Sequence, residues 1–522
     1  MKKIILKGIS VIAVSLFMLS TPVFADDAEL VSAVKNMQKQ MADLQTTVQM
    51  QKAEIDTLKS RPANIQVGQG ATSPEVNPPM SEAEFNQRLG DRLGGADKWL
   101  KDLKFSGDLR LRYEAFHLHG DRRNTTANAD SYQPDRNRFR FRLRYGFEKT
   151  FSPEMKVGFS MATGSTTTAD GNADPISTNQ TFGNNFTFKN IWVEKAYATY
   201  TPNWAKISLG DNLRSDGLEI TAGKFNNPFE KGSTDMIWDR DLKPEGVYEK
   251  IDTNLFKTDN LNVKAYGLLG QFVLQETGSV ATGNGLGAVG GKDANLFAYQ
   301  VGLNPVFYVN GLERPVDALS ALSVYNYQNY AQRNNWYAYP TDSLGSFANG
   351  NPFLGSALTA KNFNVLSFYQ EVAIYPHGIP VRPFGEFAHN MSNQAGNNNA
   401  VNPFANAMQG GSDAWSLGLT LGKLQKKGDW QTSYQYKYIG ANSVPGAFND
   451  SDFGGYNYGG ANKAGSVIKM GYNLTDYLTL NGACFFIRPI TQRGTAAVAP
   501  GANGLQGDTS VDRFQLDMTW KF

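Results

Sequence analysis

The chain contains little cysteine and little histidine. Cys484 is the one cysteine in 522 residues, and there are four histidines. A single cysteine excludes an intrachain disulfide, and no Cys-x-x-Cys-His haem motif is present. Few residues remain that could bind a metal or act as a catalytic base, and no Ser/His/Asp arrangement is evident. The sequence therefore predicts no metal site, no cofactor and no enzymatic activity.

Long apolar runs and an excess of one charge are also missing. Apart from Ile9 to Leu19, no segment approaches the roughly 18 consecutive apolar residues of a membrane-spanning helix. Lysine and arginine together number 50, against 48 acidic residues. This balance excludes a polybasic protein that binds nucleic acid, and the lack of long apolar runs excludes a helical membrane domain.

A secretion signal is predicted over residues 1–25. Three lysines precede the apolar run, Pro22 ends it, and Val23-Phe24-Ala25 fits a small-x-Ala cleavage site. The run is too short to span a bilayer comfortably, so a retained anchor is the weaker interpretation. We therefore expect an exported chain that begins at Asp26.

Residues 26–60 are predicted to form an α-helical coiled coil. Apolar residues recur at alternating steps of four and three through four heptads, with charged and amide residues between them. One helix cannot bury so narrow a seam alone, so we expect self-association, with a trimer preferred to a dimer. A single helix lying on the rest of the protein or on peptidoglycan is the alternative. The predicted oligomerisation residues are Leu30, Val34, Met37, Met41, Leu44, Val48, Gln51, Ile55 and Leu58.

Two short regions follow the coiled coil. Residues 61–80 contain four prolines among small polar residues and are interpreted as a linker. Residues 81–102 are predicted to form a short amphipathic helix, because Ser81 and Glu84 have the spacing of a capping box.

Sixteen segments between residue 103 and the C-terminus alternate apolar and polar residues with a period of two, which is typical of strands with two different faces. Short joins between segments alternate with long joins rich in glycine and asparagine, as in barrels with short periplasmic turns and long external loops. We therefore predict an all-β transmembrane fold: an antiparallel, up-and-down outer-membrane β-barrel of about 16 strands over 103–522. Fourteen and eighteen strands are the alternatives, since the segments 204–211 and 245–253 are weak.

Charged residues suggest how the interior of such a barrel would be lined. The first two segments carry six arginines opposite their apolar faces: Arg110, Arg112, Arg138, Arg140, Arg142 and Arg144. An arginine facing lipid costs about 2–4 kcal/mol near the bilayer midplane, so we predict that these residues line the pore. Acidic residues occur in what we count as the third external loop: Glu230, Asp235, Asp239, Asp241 and Glu245.

The position of this acidic loop has two interpretations. If it folds inward as a constriction loop, its carboxylates oppose the arginines and create a transverse field that acts on passing ions. If it lies outside the barrel, the arginines pair with acidic residues of neighbouring strands instead.

Several segments carry a resemblance to a known family: Phe105–Glu114, Ala222–Phe229, Trp238–Leu242, Gly428–Trp430, Asp450–Phe453 and the terminal Phe522. They resemble the putative porin family of Gram-negative bacteria and, more distantly, phosphate-selective porins. The resemblance covers about 100–522, and it implies passive diffusion of small hydrophilic solutes and ions through a trimeric, water-filled barrel. Phe522 also resembles the terminal signal that the barrel-assembly machinery reads.

We therefore predict a porin in the outer membrane of a Gram-negative bacterium, with weak anion preference or little selectivity and with the coiled coil in the periplasm. The expected partners are outer-membrane lipid, two further copies in a homotrimer, the assembly machinery and, as a further candidate, peptidoglycan. The alternative is a barrel that sheathes an electron-transfer cytochrome, or a tether that holds the cell wall through the coiled coil.

Overall fold

The structure, a computed structural model, describes residues 100, 102–119, 135–165, 174–183, 185–208, 214–276, 293–330, 353–354, 357–358, 363–392, 411–454, 460–490 and 510–522. The chain divides into two units, Met1–Leu89 and Gly90–Phe522, and all described residues belong to the second. The predicted signal peptide, the coiled coil with its nine oligomerisation residues, the linker and all but two residues of the predicted helix lie outside the described residues. No helix in the described part of the chain is long and apolar enough to cross a membrane.

Sixteen long strands form one sheet within the described residues. They are β1 Leu103–His119, β2 Arg136–Ser152, β3 Met155–Thr163, β4 Ile191–Tyr200, β5 Arg214–Lys224, β6 Glu245–Lys257, β7 Leu261–Gln275, β8 Ala294–Phe307, β9 Val316–Gln328, β10 Phe363–Ala373, β11 Val381–Asn390, β12 Asp413–Gly422, β13 Trp430–Ile439, β14 Lys463–Asn473, β15 Leu478–Pro489 and β16 Ser510–Lys521. Each pairs antiparallel with the next, and β16 pairs with β1, so the sheet closes into a barrel.

The period-two pattern determines which side chains face inward. On β16, Arg513 and Asp517 are buried, whereas Leu516 on the opposite face is 59% exposed. Successive side chains of a strand point to opposite faces of the sheet, so the polar set faces the lumen and the apolar set faces outward. The closed antiparallel barrel and the count of sixteen strands are thereby confirmed.

The location of the fifth strand was predicted wrongly. The segment 204–211 contributes only the two-residue strand Ile207–Ser208, and the fifth barrel strand is β5. Gly217, Ala222 and Gly223 interrupt the alternation of large apolar residues on β5, and its pairing with β6 contains a register shift next to Gly217. Small residues and a bulge weaken the local signal of a strand.

Within the described residues, two long connections extend into the interior of the barrel, and residues 174–179 between β3 and β4 contact both of them there. Residues 225–244 (the 225–244 loop) join β5 to β6, and residues 440–454 (the 440–454 loop) follow β13. In the 225–244 loop, the backbone N–H of Thr234 donates to Glu386 of β11 at 2.7 Å, and the carbonyl of Phe229 accepts from Gln300 of β8 at 3.3 Å. Inward-facing side chains of distant strands thus hold this loop.

An aromatic cluster joins the two loops to the wall. Trp238 of the 225–244 loop lies edge-on to Tyr325 of β9, with ring centroids 5.2 Å apart, and it also contacts Phe448 of the 440–454 loop. Phe448 in turn stacks on Tyr327 of β9 at 6.0 Å. Trp238, Tyr325 and Tyr327 are each at most 3% exposed. Burial of these large rings is a substantial source of stability for the inward positions of both loops.

Candidate functional site

The arginines of the first two strands lie side by side. The register of β1 and β2 places Arg110 opposite Arg142 and Arg112 opposite Arg140. Facing positions of adjacent strands have Cβ atoms roughly 5 Å apart, so these guanidinium groups form a dense basic cluster. Such a cluster is stable only with acidic partners or screening ions close by.

Acidic residues of the neighbouring strands supply most of those partners. Asp108 accepts hydrogen bonds from Arg142 at 2.7 Å and from Arg144 at 2.7 Å. Asp517 of β16 accepts two hydrogen bonds from Arg112, at 2.7 and 2.8 Å. These are charge-assisted contacts of normal length, and they fix the arginine side chains in place.

Glu114 is a second acidic centre at the seam where β16 meets β1. Its fully buried carboxylate accepts hydrogen bonds from Arg138 and from Arg513, and from Gln515 at 3.0 Å. Arg140 also lies 3.7 Å from it. One carboxylate therefore serves three arginines, two of β2 and one of β16.

The acidic residues of the 225–244 loop point in different directions. Asp241 lies 3.7 Å from Arg142 and 3.8 Å from Arg144, so it alone of the five predicted residues contacts the arginine cluster directly. Asp235 instead lies 2.8 Å from Lys437 of β13 and 3.2 Å from Lys469 of β14.

The other three members of the predicted acidic set have separate surroundings. Asp239 accepts the backbone N–H of Ser451 at 2.8 Å. Glu245 pairs with Lys224 at 2.7 Å, outside the lumen at the first residue of β6. Glu230 forms no ion pair within the described residues, although Lys243 lies near enough to influence it electrostatically.

Two carboxylates of the 440–454 loop also belong to the site, although the sequence analysis did not assign them to it. Asp452 lies 3.3 Å from Arg112 and 2.6 Å from Arg513. Asp450 lies 2.6 Å from Lys437. The run Asp450-Ser451-Asp452 was the available signal, but nothing in its local pattern shows that this loop folds inward.

Electrostatics divide the loop carboxylates into two kinds. Burial would raise the pKa of Asp241, but Arg142, Arg110 and Arg144 outweigh it and hold the pKa below its ordinary value. For Asp239, burial and the nearby Asp241 and Asp450 together raise the pKa well above that value. Asp241 is therefore a fixed negative charge opposite the arginines, whereas Asp239 readily takes up a proton.

A lumenal cavity of about 680 Å³ lies beside this cluster. Its lining includes seven basic and four acidic side chains: Arg110, Arg112, Arg142, Arg240, Arg382, Lys469 and Lys521, with Asp235, Glu371, Asp452 and Asp517. Arg240 and Arg382 form no ion pair within the described residues. No group of three or more His, Cys, Asp or Glu side chains in the described part of the chain is arranged to bind a metal ion.

The terminal aromatic residue belongs to the barrel seam. Phe522 exchanges two backbone hydrogen bonds with Gly107 of β1, at 2.8 and 3.1 Å. A Cβ atom on Gly107 would lie 2.5 Å from the Phe522 ring. Gly107 therefore allows the close approach of the ring to β1, and the two ends of the barrel sequence meet here.

A closed antiparallel barrel with a charged interior and an apolar exterior defines a channel protein of the outer membrane. The chain belongs to the family described as Putative porin, whose model matches residues 92–352 and 348–522. Family and fold support an outer-membrane location, and they indicate a channel rather than an enzyme. No curated protein matches the sequence.

Several solved structures are similar to this chain. OprB of Pseudomonas putida at high pH has 13% identity and a TM-score of 0.42, covering 84% of this chain and 97% of that one. OmpF of Salmonella typhi in complex with daunomycin has 10% identity and a TM-score of 0.38, covering 80% and 97%. The anion-selective porin from Comamonas acidovorans has 12% identity and a TM-score of 0.36, covering 80% and 99%.

Proposed function

We propose that the protein is a diffusion porin whose lumen favours small anions over cations of similar size. The excess of basic over acidic side chains around the 680 Å³ cavity is the observation that carries this proposal. A net positive lining raises the local concentration of anions and lowers that of cations. Because Arg240 and Arg382 are not neutralised by ion pairs, they contribute most to this excess.

The two inward loops would set the size limit for solutes. The six arginines of β1 and β2 act as pore-lining residues, and the 225–244 loop acts as the constriction, with Asp241 as its acidic group. The Asp241 carboxylate of the loop lies against the basic wall, 3.7 Å from Arg142, and the local field between these groups would orient dipolar solutes. The function needs no covalent step and no cofactor.

The remaining predictions form part of the proposal. The coiled coil would hold three copies together in the periplasm and could contact peptidoglycan as a tether. Phe522 would be the signal for the barrel-assembly machinery. We do not propose the cytochrome sheath, because a sheath requires a lumen free of inward loops.

Planar-bilayer recordings in a KCl gradient test the proposed selectivity. The double variant Arg240→Gln/Arg382→Gln should shift the reversal potential toward cations. Removal of two charges that are screened by salt should change the electrostatic free energy of a passing ion by about 0.5–1 kcal/mol. We therefore expect the anion-to-cation permeability ratio to fall roughly three-fold.

Arg314→Gln is the matched control. Arg314 lies in the turn between β8 and β9, where its guanidinium group is over the ring of Tyr375, and it is not part of the cavity lining. It should leave the reversal potential unchanged. Equal permeability to K⁺ and Cl⁻ in the unmodified protein would contradict the proposed anion preference.

Anion preference should also increase below about pH 6. Burial raises the pKa of Asp174, near Arg140, to about 6. Its carboxylate is charged at neutral pH and becomes neutral as the pH falls through this value, which leaves the lumen more positive. Asp174→Asn should therefore already show increased anion preference at pH 7.5, and its further shift on acidification should be smaller. A pH response identical to that of the unmodified protein would exclude Asp174 as its source.

A further inference from the structure

The outward face of the barrel is not uniformly apolar. Strand registers place Glu249 of β6, Gln271 of β7 and Gln370 of β10 on the outer face, next to Leu269, Phe297 and Gly385 of the neighbouring strands. Along its own strand, each polar residue lies between two outward apolar residues. The pairs are Val247 and Ile251, Leu269 and Val273, and Phe368 and Val372. The three polar groups therefore lie within the apolar band and not at its rim.

The opposite side of the barrel differs. On β12 to β16, no carboxylate or carboxamide faces outward between the rim residues Asp413, Arg488 and Asp512. The outward residues there are almost all aliphatic or aromatic, such as Leu417 at 61% exposure and Met470 at 61%. Among the described strands, β6, β7 and β10 differ from β12 to β16 in carrying a carboxylate or a carboxamide between outward apolar residues.

A groove lies on the same outer face. It has a volume of about 520 Å³, and its lining includes Ala265 and Gly267 of β7, with Ile251, Leu303, Leu322 and Phe368 around them. A Cβ atom on Gly267 would already touch Ile251 at 3.4 Å, so the groove depends on this glycine. The small residues create a concave surface, and the exposed Phe368 and Leu322 project beside it.

Lipid is a poor occupant for this face. A carboxylate within the hydrocarbon region is costly, and acyl chains offer it no hydrogen-bond donor. Glu249 forms no ion pair and no hydrogen bond to another residue within the described part of the chain. Gln370 is partly satisfied, because its side-chain oxygen accepts from Ser320 at 2.5 Å and its amide donates to the backbone carbonyl of Glu371 at 3.3 Å, which leaves one of its two N–H donors. Gln271 also presents a carboxamide.

We propose that the outward face of β6 to β10 is the contact between copies of the barrel. In a closed ring of copies related by rotation, the two surfaces in contact are different parts of the chain. The β6 edge of one copy therefore meets the β10 edge of the next. The carboxylate of Glu249 then accepts a charge-assisted hydrogen bond from the carboxamide of Gln370 in the neighbouring copy. The projecting Phe368 fills the groove over Gly267 of the other copy.

Cysteine cross-linking in outer-membrane preparations tests this face in the full chain. In a Cys484→Ser background, the pair Ile251→Cys/Phe368→Cys should convert most of the protein into covalent multimers with a bifunctional maleimide. The matched pair Leu419→Cys/Met470→Cys on the opposite side should stay monomeric. No cross-link at the first pair, equal cross-linking at both pairs, or a product whose mass is not a multiple of this chain would each overturn the proposal.

A substitution separates contact with protein from contact with lipid. Glu249→Leu removes a polar group from the apolar band, which would stabilise a surface facing lipid. At an interface between copies it removes a hydrogen bond, so most of the oligomer should be lost on mild heating in detergent. Leu417→Ala on the opposite side controls for a general effect of altering the wall. An oligomer that is unchanged or more heat-resistant in Glu249→Leu would overturn the proposal. Conductance is recorded separately and tests the pore function.

Discussion

Lys437→Met is expected to release both inward loops and to increase single-channel conductance. The ammonium group of Lys437 is fully buried, 2.8 Å from Asp235 of the 225–244 loop and 2.6 Å from Asp450 of the 440–454 loop. It is thus the charge through which β13 holds both loops at once. A backbone hydrogen bond of 2.9 Å between Asp450 and Asp235 joins the loops at the same point.

Methionine has a similar length but no charge, so it would leave two carboxylates without their buried partner. Breaking a buried ion pair in this way costs about 3–5 kcal/mol. The barrel strands are held by their own hydrogen bonds, so we expect the loops and not the barrel to absorb most of this cost. The measurement is conductance in planar bilayers, with a larger and noisier open state than in the unmodified protein.

Lys469→Met is the matched control. Lys469 also contacts Asp235, at 3.2 Å, but its side chain is 46% exposed, and exposed pairs contribute only about 0–1 kcal/mol. Its conductance should change little. A Lys437→Met barrel that folds normally and conducts like the unmodified protein would show that the loops are held without this ion pair, by the aromatic cluster and by contacts such as that of Thr234 with Glu386.

The architecture of the barrel could be predicted from the sequence because it depends on a local pattern. On β16, Phe514 and Leu516 alternate with Arg513 and Gln515, and this alternation predicts a strand with two different faces. The predicted secretion signal and the many similar segments then favour lipid on the apolar face. On β5, Gly217 and its neighbouring small residues weaken that pattern, so the strand was misplaced although the total count was correct. The pattern therefore identifies strands that have large side chains on one face and misses strands that do not.

The site could be predicted only in part, because its contacts cross the closed barrel. The cost of an arginine in lipid indicates from sequence alone that Arg142 faces inward. Its partner Asp108 was visible on β1, on the same face. Asp517, by contrast, is 405 residues away from Arg112 in the sequence. Only the closure of β16 on β1 brings the two together, and the sequence does not contain that register.

The inward position of the 440–454 loop was missed for a similar reason. Its attachment depends on Phe448 stacking on Tyr327 of β9 and on Asp450 reaching Lys437. These are long-range contacts between residues with no periodic relationship. A composition rich in glycine and asparagine is shared by loops that lie outside a barrel and by loops that fold into it, so it does not distinguish them.

Glu114→Gln is expected to reduce the yield of folded barrel more than any other single change in the wall. Glu114 lies on β1 and accepts hydrogen bonds from Arg138 of β2 and Arg513 of β16, so its charge connects the first strand to both neighbours across the seam. Its carboxylate is fully buried. In the variant, Arg138 would lose its one ion-pair partner among the described residues, and Arg513 would keep only Asp452, at 2.6 Å.

The amide of glutamine preserves the size of the side chain but turns one acceptor into a donor facing guanidinium groups. Loss of one member of a buried charge cluster costs about 3–5 kcal/mol, which is comparable with a large share of the net stability of a typical domain. Because the seam forms only when the terminal strand closes the barrel, this cost falls on the closing step. Folded and unfolded protein can be separated by their different mobilities on gels with and without heating, and Glu114→Gln should leave most of the chain unfolded.

Glu148→Gln provides the comparison on the same pair of strands. Glu148 lies near the end of β2, its side chain is 37% exposed, and Lys156 is 3.5 Å away, so water can replace this contact. The hydroxyl of Tyr197, which donates to Glu148 at 2.9 Å, can donate equally to the glutamine oxygen. It should fold like the unmodified protein. If both variants fold equally well, backbone pairing between β16 and β1 is sufficient for closure, and the buried charges at the seam serve the pore rather than the stability of the barrel.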